Sequence, residues 1–216
     1  MSPDTTPRRL VVQGDALAWL RDNPAPPAAS VVTSLPDVSE LPLLGVEGWL
    51  RFFVEAVRGV LRWLPVDGEA IFYQTDVRHE GRWIDKGHLV MLGVDQEGAA
   101  LLWHKIVCRQ PPGTTSMGRP TYSHMLCVAR APRLILQRGP DVMPEAGTSS
   151  WSRGMGEEAC RAACRYLTTS TPTRIVVDPF CGRGTLLAVA NAVGLDAIGV
   201  DLSAKRCRAA RRAVVS

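Results

Sequence analysis

The chain has no Cys-x-x-Cys pair, and none of its four histidines falls at zinc-ligand spacing beside its six cysteines. That excludes a zinc-finger framework. It leaves Cys108, Cys127, Cys160, Cys164, Cys181 and Cys207 as small apolar residues of a reduced core. Cys160 and Cys164 stand four apart in a helical pattern and share one face. No metal is expected. No apolar run reaches the roughly 18 residues of a membrane helix, and the N-terminus has no signal-peptide apolar block. We therefore expect an intracellular, cytoplasmic protein with no membrane partner. There is no internal repeat, and no low-complexity segment is large enough to be a second domain.

What is present is ordinary globular material. Hydrophobic residues make up 46% and charged residues 21% of the 216 positions. A chain of this length is one domain by the prior of roughly 150 residues each, and folding buries about 70% of its surface, enough for a core without staples. The formal charge of +4 permits an anionic partner without requiring one.

Apolar runs of strand length fall at Leu10–Gln13, Ala29–Thr33, Ala70–Gln74, Ala99–Val107, Thr121–Arg130, Arg174–Val177 and Asp196–Val200. Segments of helical spacing lie between most of them, at Ala16–Arg21, Val46–Leu64, Lys86–Val94, Glu157–Leu167, Thr185–Val193 and Ser203–Val214. Trp49, Phe53, Val57, Val60 and Leu64 form one stripe of the longest. Ser203 and Thr185 suit helix starts and Gly194 a stop. Strands alternating with helices predict a mostly parallel sheet covered on both faces. The runs Ala99–Val107 and Thr121–Arg130, joined by a loop alone, should pair antiparallel at one edge. Residues 1–9 read as a flexible tail and 10–216 as a single domain.

The most informative stretch is Asp178-Pro179-Phe180-Cys181-Gly182-Arg183-Gly184-Thr185, where a buried strand runs into a glycine turn and then an apolar helix. Glycines at 182 and 184 let the backbone pass close to a ligand, and the helix amides that follow can meet its polar groups. Asp201 ends the next strand, where a carboxylate can take both hydroxyls of a ribose. A dinucleotide site is excluded because Leu187 holds the third glycine position. A phosphate loop is excluded because no lysine precedes Thr185.

This Asp-Pro-Phe-x-Gly-x-Gly-Thr segment resembles the cofactor motif of the DNA and RNA amino-methyltransferases, in the circularly permuted order that sets it near the C-terminus. The resemblance extends over most of the chain. It implies S-adenosyl-L-methionine as cofactor, held by Asp178, Pro179, Phe180, Cys181, Gly182, Gly184, Thr185, Asp201 and Leu202. Leu10 to Ala16 resembles the family's Gly-Asp segment, which brings in Asp15 and Ala16 near the adenine amino group. Trp151 falls in a segment that helps wall the cofactor pocket. Ser34-Leu35-Pro36-Asp37 occupies the place of the catalytic Asp/Ser/Asn-Pro-Pro-aromatic motif, with Ser34 shared between cofactor and catalysis. Ser34 and the Leu35 carbonyl would accept the hydrogens of the target amino group, while Pro36 stiffens the turn. The permutation also predicts that Leu10–Asp15 lies beside Asp196–Asp201 in the sheet.

Asp37 departs from the motif, because an acid replaces the aromatic that stacks on a flipped base. It can read the N1–H and amino edge of a guanine, act as a general base, or cap a turn. No cysteine lies beside the motif, which excludes a covalent cytosine-C5 mechanism. Asp76, Arg78, Lys105, Arg119 and Tyr122 are candidate substrate residues, the cations as a phosphate-facing rim or as plain surface. Arg82, Lys86 and Arg109 join that rim, and Trp83, Tyr122 and Trp151 can stack on a base. The basic run Lys205 to Arg212 is expected to face solvent.

The fold expected is α/β: a Rossmann-like class I methyltransferase, circularly permuted, with an antiparallel edge hairpin. The substrate expected is a nucleic-acid base, with RNA ahead of DNA. Only Gln110–Gly118 separates the last two long strands, where sequence-specific DNA enzymes of this class carry a recognition insertion. A chain this small would read a folded RNA by shape or borrow recognition from a protein partner. Two other classes remain open. One is a small-molecule methyltransferase; the other is a non-catalytic methyltransferase-like binding subunit, motivated by Leu35 and Asp37.

Overall fold

The computed structural model of the protein describes residues 6–135, 139–149, 151 and 154–215. In chain order the elements are β1 (Arg9–Gln13), α1 (Ala16–Asp22), β2 (Ala29–Thr33), α2 (Gly45–Trp63), β3 (Glu69–Gln74), β4 (Val77–His79), β5 (Arg82–Ile84), α3 (Lys86–Gln96), β6 (Ala100–Cys108), β7 (Tyr122–Ala129), β8 (Val142–Met143), α4 (Glu157–Ser170), β9 (Ile175–Asp178), α5 (Thr185–Ala192), β10 (Asp196–Asp201) and α6 (Ala204–Arg212). Two single 3₁₀ turns, Val38–Glu40 and Pro42–Leu44, lie between β2 and α2.

Eight strands form one sheet in the order β1-β10-β9-β2-β3-β7-β6-β8, and β4 pairs with β5 in a separate hairpin. From β1 to β3 every pairing is parallel. β7 is antiparallel to both β3 and β6. Successive strand residues point to opposite faces, and here both faces are buried. Val32, Ile71 and Val176 pack with α4, α5 and α6. Their neighbours Val31, Phe72 and Val177 pack with α1, α2 and α3. The stripe on α2 is buried as expected, Trp49 to Leu64 included. Ser203 caps α6 by accepting from the Arg206 N–H at 3.3 Å. Gly194, at φ +87°, follows the end of α5.

The permuted order is realised in β1 against β10, with Leu10 opposite Ile198 and Gln13 opposite Asp201. Two expectations need correction. Arg8 and Arg9 do not belong to a tail: Arg8 donates its N–H to Asp196 and accepts from Ala197, and Arg9 opens β1. Residues 1–5 lie outside the described residues. The β6–β7 hairpin is not outermost, because the two residues of β8 add in parallel beyond β6. The β4–β5 hairpin is three residues a strand, too short for a period of two to show.

Strands β1, β2, β9 and β10 all end on the same side of the sheet. β9 and β2 are neighbours from opposite ends of the chain, which is where an open parallel sheet leaves a crevice for a ligand.

Candidate active site

The loops leaving those strand ends surround a cleft of about 700 Å³. Its walls carry Asp15 and Ala16 after β1, Ser34 to Pro36 after β2, Asp178 to Thr185 around the glycine turn, and Asp201 to Ser203 after β10. Trp151 closes one side and the apolar segment Leu41–Leu44 another. Every residue assigned to the cofactor in the sequence lines this one cleft. Residues 150, 152 and 153, flanking Trp151, lie outside the described residues.

Backbone amides fix the two inner carboxylates. Asp201 accepts from the Gly182 N–H at 3.1 Å and the Ser203 N–H at 2.7 Å, one on each oxygen. Each oxygen keeps a lone pair for a ligand hydroxyl. Asp178 accepts from the Thr33 hydroxyl at 2.7 Å and the Phe180 N–H at 3.1 Å, both on the same oxygen. Burial pushes its carboxyl up to about 7, against those two bonds. Asp15 caps α1 with one oxygen, accepting from the Ala18 N–H at 2.8 Å. Gly182 and Gly184 both take positive φ, +54° and +81°. A Cβ at Gly184 would lie 2.7 Å from the Ala210 Cα, so this glycine lets α6 close on the turn.

Arg206 corrects the picture of a solvated basic run. Its guanidinium lies 4.6 Å from the Trp151 ring centre and pairs with Glu40 at 3.1 Å. Arg211 donates to the Val11 carbonyl at 2.8 Å. Arg206, Glu40, Phe52, Met155 and Leu41–Leu44 line the cleft without having been singled out in the sequence. For Arg206 the signal was its place five residues after Asp201, on the first turn of α6. Nothing in the sequence brought Glu40 or Phe52 to this wall.

Ser34, Leu35, Glu40 and Gly154 line both this cleft and a second, small polar cavity, which also meets Asp37, Tyr73, Thr75, Asp76, Lys86, Arg109 and Arg119. The Pro36 carbonyl accepts from Trp49 Nε1 at 3.0 Å, which pins the corner to α2. The Leu35 carbonyl takes no hydrogen bond among the described residues. Asp37 caps the first 3₁₀ turn: one oxygen accepts from the Val38 N–H at 2.8 Å, while its own N–H donates to Glu40 at 3.1 Å. The turn-cap reading of Asp37 is therefore realised, the side chain also accepting from the Glu40 N–H in a full capping box, and the residue lines the cavity as well.

Asp76 is buried at the rim of that cavity and organises its surroundings. It accepts from the Lys86 N–H, Trp83 Nε1, Tyr122 Oη and His124 Nε2 at 2.9 to 3.3 Å. Burial alone would raise its carboxyl, but the bonds from His124 and the Lys86 N–H hold it below the usual range. His124 bonds in turn to His104 at 3.0 Å, whose ring is pushed down by burial and by His124. Asp76, Asp85 and His124 lie close enough to hold a metal ion. With Asp76 already accepting from four donors, the group reads as a hydrogen-bond cluster instead.

The cationic rim is only partly assembled. Arg109 and Arg119 reach the second cavity. Lys105 does not: it is buried on β6, and Nζ donates to the Gly139 and Pro140 carbonyls at 3.2 and 2.7 Å. Arg78 lies outside too, stacked 4.9 Å from the exposed Trp83 ring and donating to the Met117 carbonyl. Tyr122 donates from Oη to Asp76 at 3.2 Å and lines neither cavity.

A parallel sheet in this order, with a glycine turn after β9 and an acid ending β10, is a Rossmann-like methyltransferase fold in permuted form. Comparison with known proteins narrows the class. Residues 167–212 match the family described as DNA methylase, for N6 and N4 methylation. A putative DNA modification methylase of Thermus thermophilus, solved also in complex with S-adenosyl-L-methionine, superposes with a TM-score of 0.73. It is 22% identical, over 95% of this chain and 93% of that one. The cytosine-N4-specific PvuII DNA methyltransferase superposes with a TM-score of 0.73 at 14% identity, over 95% and 86% of the two chains. The M1.HpyAVI complex gives 0.65 at 11% identity, over 94% and 98%. At such identities the superpositions speak for the fold. No curated protein matches by sequence. The matched segment contains all of Asp178 to Ser203, and the resemblance to the amino-methyltransferases of DNA-methylase type is borne out.

Proposed function

We propose that the protein transfers a methyl group from S-adenosyl-L-methionine to an exocyclic amino nitrogen of a nucleic-acid base. The observation that carries this is the shared lining: Ser34 and Leu35, with Glu40 and Gly154, border both the cofactor cleft and the polar cavity. The chain from Arg9 onward acts as one domain, because both layers of helices pack on one sheet.

The cleft suits this cofactor on its own chemistry. Asp201 and Asp15 provide acceptors for ribose hydroxyls and an adenine amino group. Asp178 sits beneath the glycine turn, where an ionised carboxylate would favour a cationic ligand. When bound, the cofactor supplies an electrophilic methyl group. The protein's part is positioning, worth many orders of magnitude when donor and acceptor are held in line. The Leu35 carbonyl and the Ser34 hydroxyl accept the amino hydrogens and aim the nitrogen lone pair at the cleft. As the methyl's bond to sulfur breaks and its bond to nitrogen forms, the nitrogen would give up a proton, and the Asp37 carboxylate is the acceptor offered in the cavity.

DNA takes precedence over RNA. The case for RNA rested on the short Gln110–Gly118 loop, yet the chain covers 93% of a protein described as a DNA modification methylase, so brevity does not separate the two. The free, buried thiols fit a cytoplasmic setting. Incubation with methyl-labelled cofactor and separate DNA, RNA and small-molecule fractions, followed by nucleoside mass spectrometry, tests the proposal. Label on adenine N6 or cytosine N4 of DNA supports it. Label in RNA alone restores the other order, and label in metabolites alone makes the protein a small-molecule methyltransferase. Cofactor binding with no transfer to any fraction makes it a binding subunit.

A further inference from the structure

Lys86 opens α3, and its backbone N–H donates to Asp76 at 2.9 Å, which fixes where the side chain begins. From there it crosses the faces of Trp49 and Phe53, with Nζ 5.9 and 5.7 Å from the ring centres. The residue is only 4% exposed, and it lines the second cavity. Among the described residues its ammonium makes no hydrogen bond and no ion pair within 4 Å. A buried ammonium without an acceptor is costly. Asp37, Glu40 and Asp76 are close enough to favour its charge through space, though burial outweighs them and depresses its basicity.

Most of those carboxylate oxygens are occupied. Glu40 takes Arg206 on one oxygen and the Asp37 N–H on the other. Asp76 takes four donors. Beside the ammonium, the cavity is lined by the Asp37 carboxylate and by Ser34 and Leu35, whose hydroxyl and carbonyl make no hydrogen bond among the described residues. This is a row of acceptors beside a donor. A base presenting an exocyclic amino group next to a ring nitrogen or carbonyl oxygen fits such a row, and uracil or thymine, lacking the amino group, does not.

We propose that Lys86 binds the target base directly, donating from Nζ to the ring nitrogen or carbonyl oxygen adjacent to the amino group that is methylated. This rests on the methyltransferase reading above and names the residue that selects its substrate. With Nζ over the Trp49 and Phe53 rings, the donor is fixed at the lining of the cavity that Ser34 and Leu35 also border.

The probe is the oligonucleotide the wild-type chain methylates, beside the same strand made abasic at the methylated position. Both are bound in the presence of S-adenosylhomocysteine. The wild type should prefer the intact strand by about tenfold or more, as a charged hydrogen bond provides, and Lys86→Met should lose most of that preference. Its kcat/KM should fall by about tenfold to a hundredfold, while S-adenosylhomocysteine affinity stays within about twofold. Thermal stability should hold or rise, because a buried charge has been replaced by an apolar chain of similar length. Lys86→Gln, which keeps a donor, should retain part of the preference and serves if the Met variant does not fold. A Lys86→Met enzyme that keeps both rate and preference overturns the proposal. So does one that loses cofactor affinity and stability along with rate, since that is a structural role. If the wild type methylates no nucleic acid, the underlying reading has failed, and this inference falls with it.

Discussion

Asp178 and Asp201 stand at the ends of adjacent strands, and both are buried. The folded protein holds a proton on Asp178 up to about pH 7, whereas the unfolded chain releases it at the usual 3.8. Between those values the folded state binds more protons, so stability falls as pH rises from about 4 to 7. Denaturant titrations across that range should show the decline, and Asp178→Asn should flatten it. An unchanged slope in the variant would mean that other groups set the pH dependence. Asp201→Asn keeps one acceptor oxygen but loses the charge and one of two amide bonds. We expect cofactor affinity, measured by titration calorimetry, to weaken by about tenfold or more. Asp37→Asn separates the two roles of that side chain, because an amide oxygen can still cap the 3₁₀ turn. Unchanged stability with a rate lowered by about tenfold or more would assign its carboxylate charge to the reaction. Unchanged binding and rate would leave Asp37 as a cap alone.

At the scale of elements, the glycine turn and the first turns of α5 and α6 form one unit. Gly184→Ala would put a Cβ against the Ala210 backbone in a left-handed conformation. It should cost about 1–3 kcal/mol in stability and most of the cofactor binding. Gly14→Ala meets open space and serves as the control in the same melts. Elements were legible in the sequence where the apolar period was long and the breaks were sharp. Ala29–Thr33 is a strand with the bounds expected of it, and Lys86 and Thr185 begin helices where the spacing placed them. The two residues of β8 and the three-residue strands β4 and β5 were not legible, since so short a run has no period to read.

Over the whole molecule, the cofactor side of the site was readable because one contiguous motif and two strand-end acids define it. The substrate side was not. Arg78, Lys105, Arg109 and Arg119 look alike as isolated cations, and only the sheet order sends two of them to the cavity and the others to backbone carbonyls. Lys86 was one name among several on that rim until its burial against Trp49 and Phe53 set it apart. Arg206 and Glu40 meet across 166 residues of sequence, a contact that no local pattern announces.

The central claim is geometric: the methyl donor and its acceptor meet at the corner of Ser34 and Leu35, which borders both cavities. A crystal structure of the complex with S-adenosyl-L-methionine tests it most directly. The account predicts the nucleoside between Asp15 and Asp201, with the sulfonium methyl directed at the Leu35 carbonyl and the polar cavity behind it. A methyl group turned toward Trp151 and solvent, or a cofactor lodged elsewhere, would contradict it.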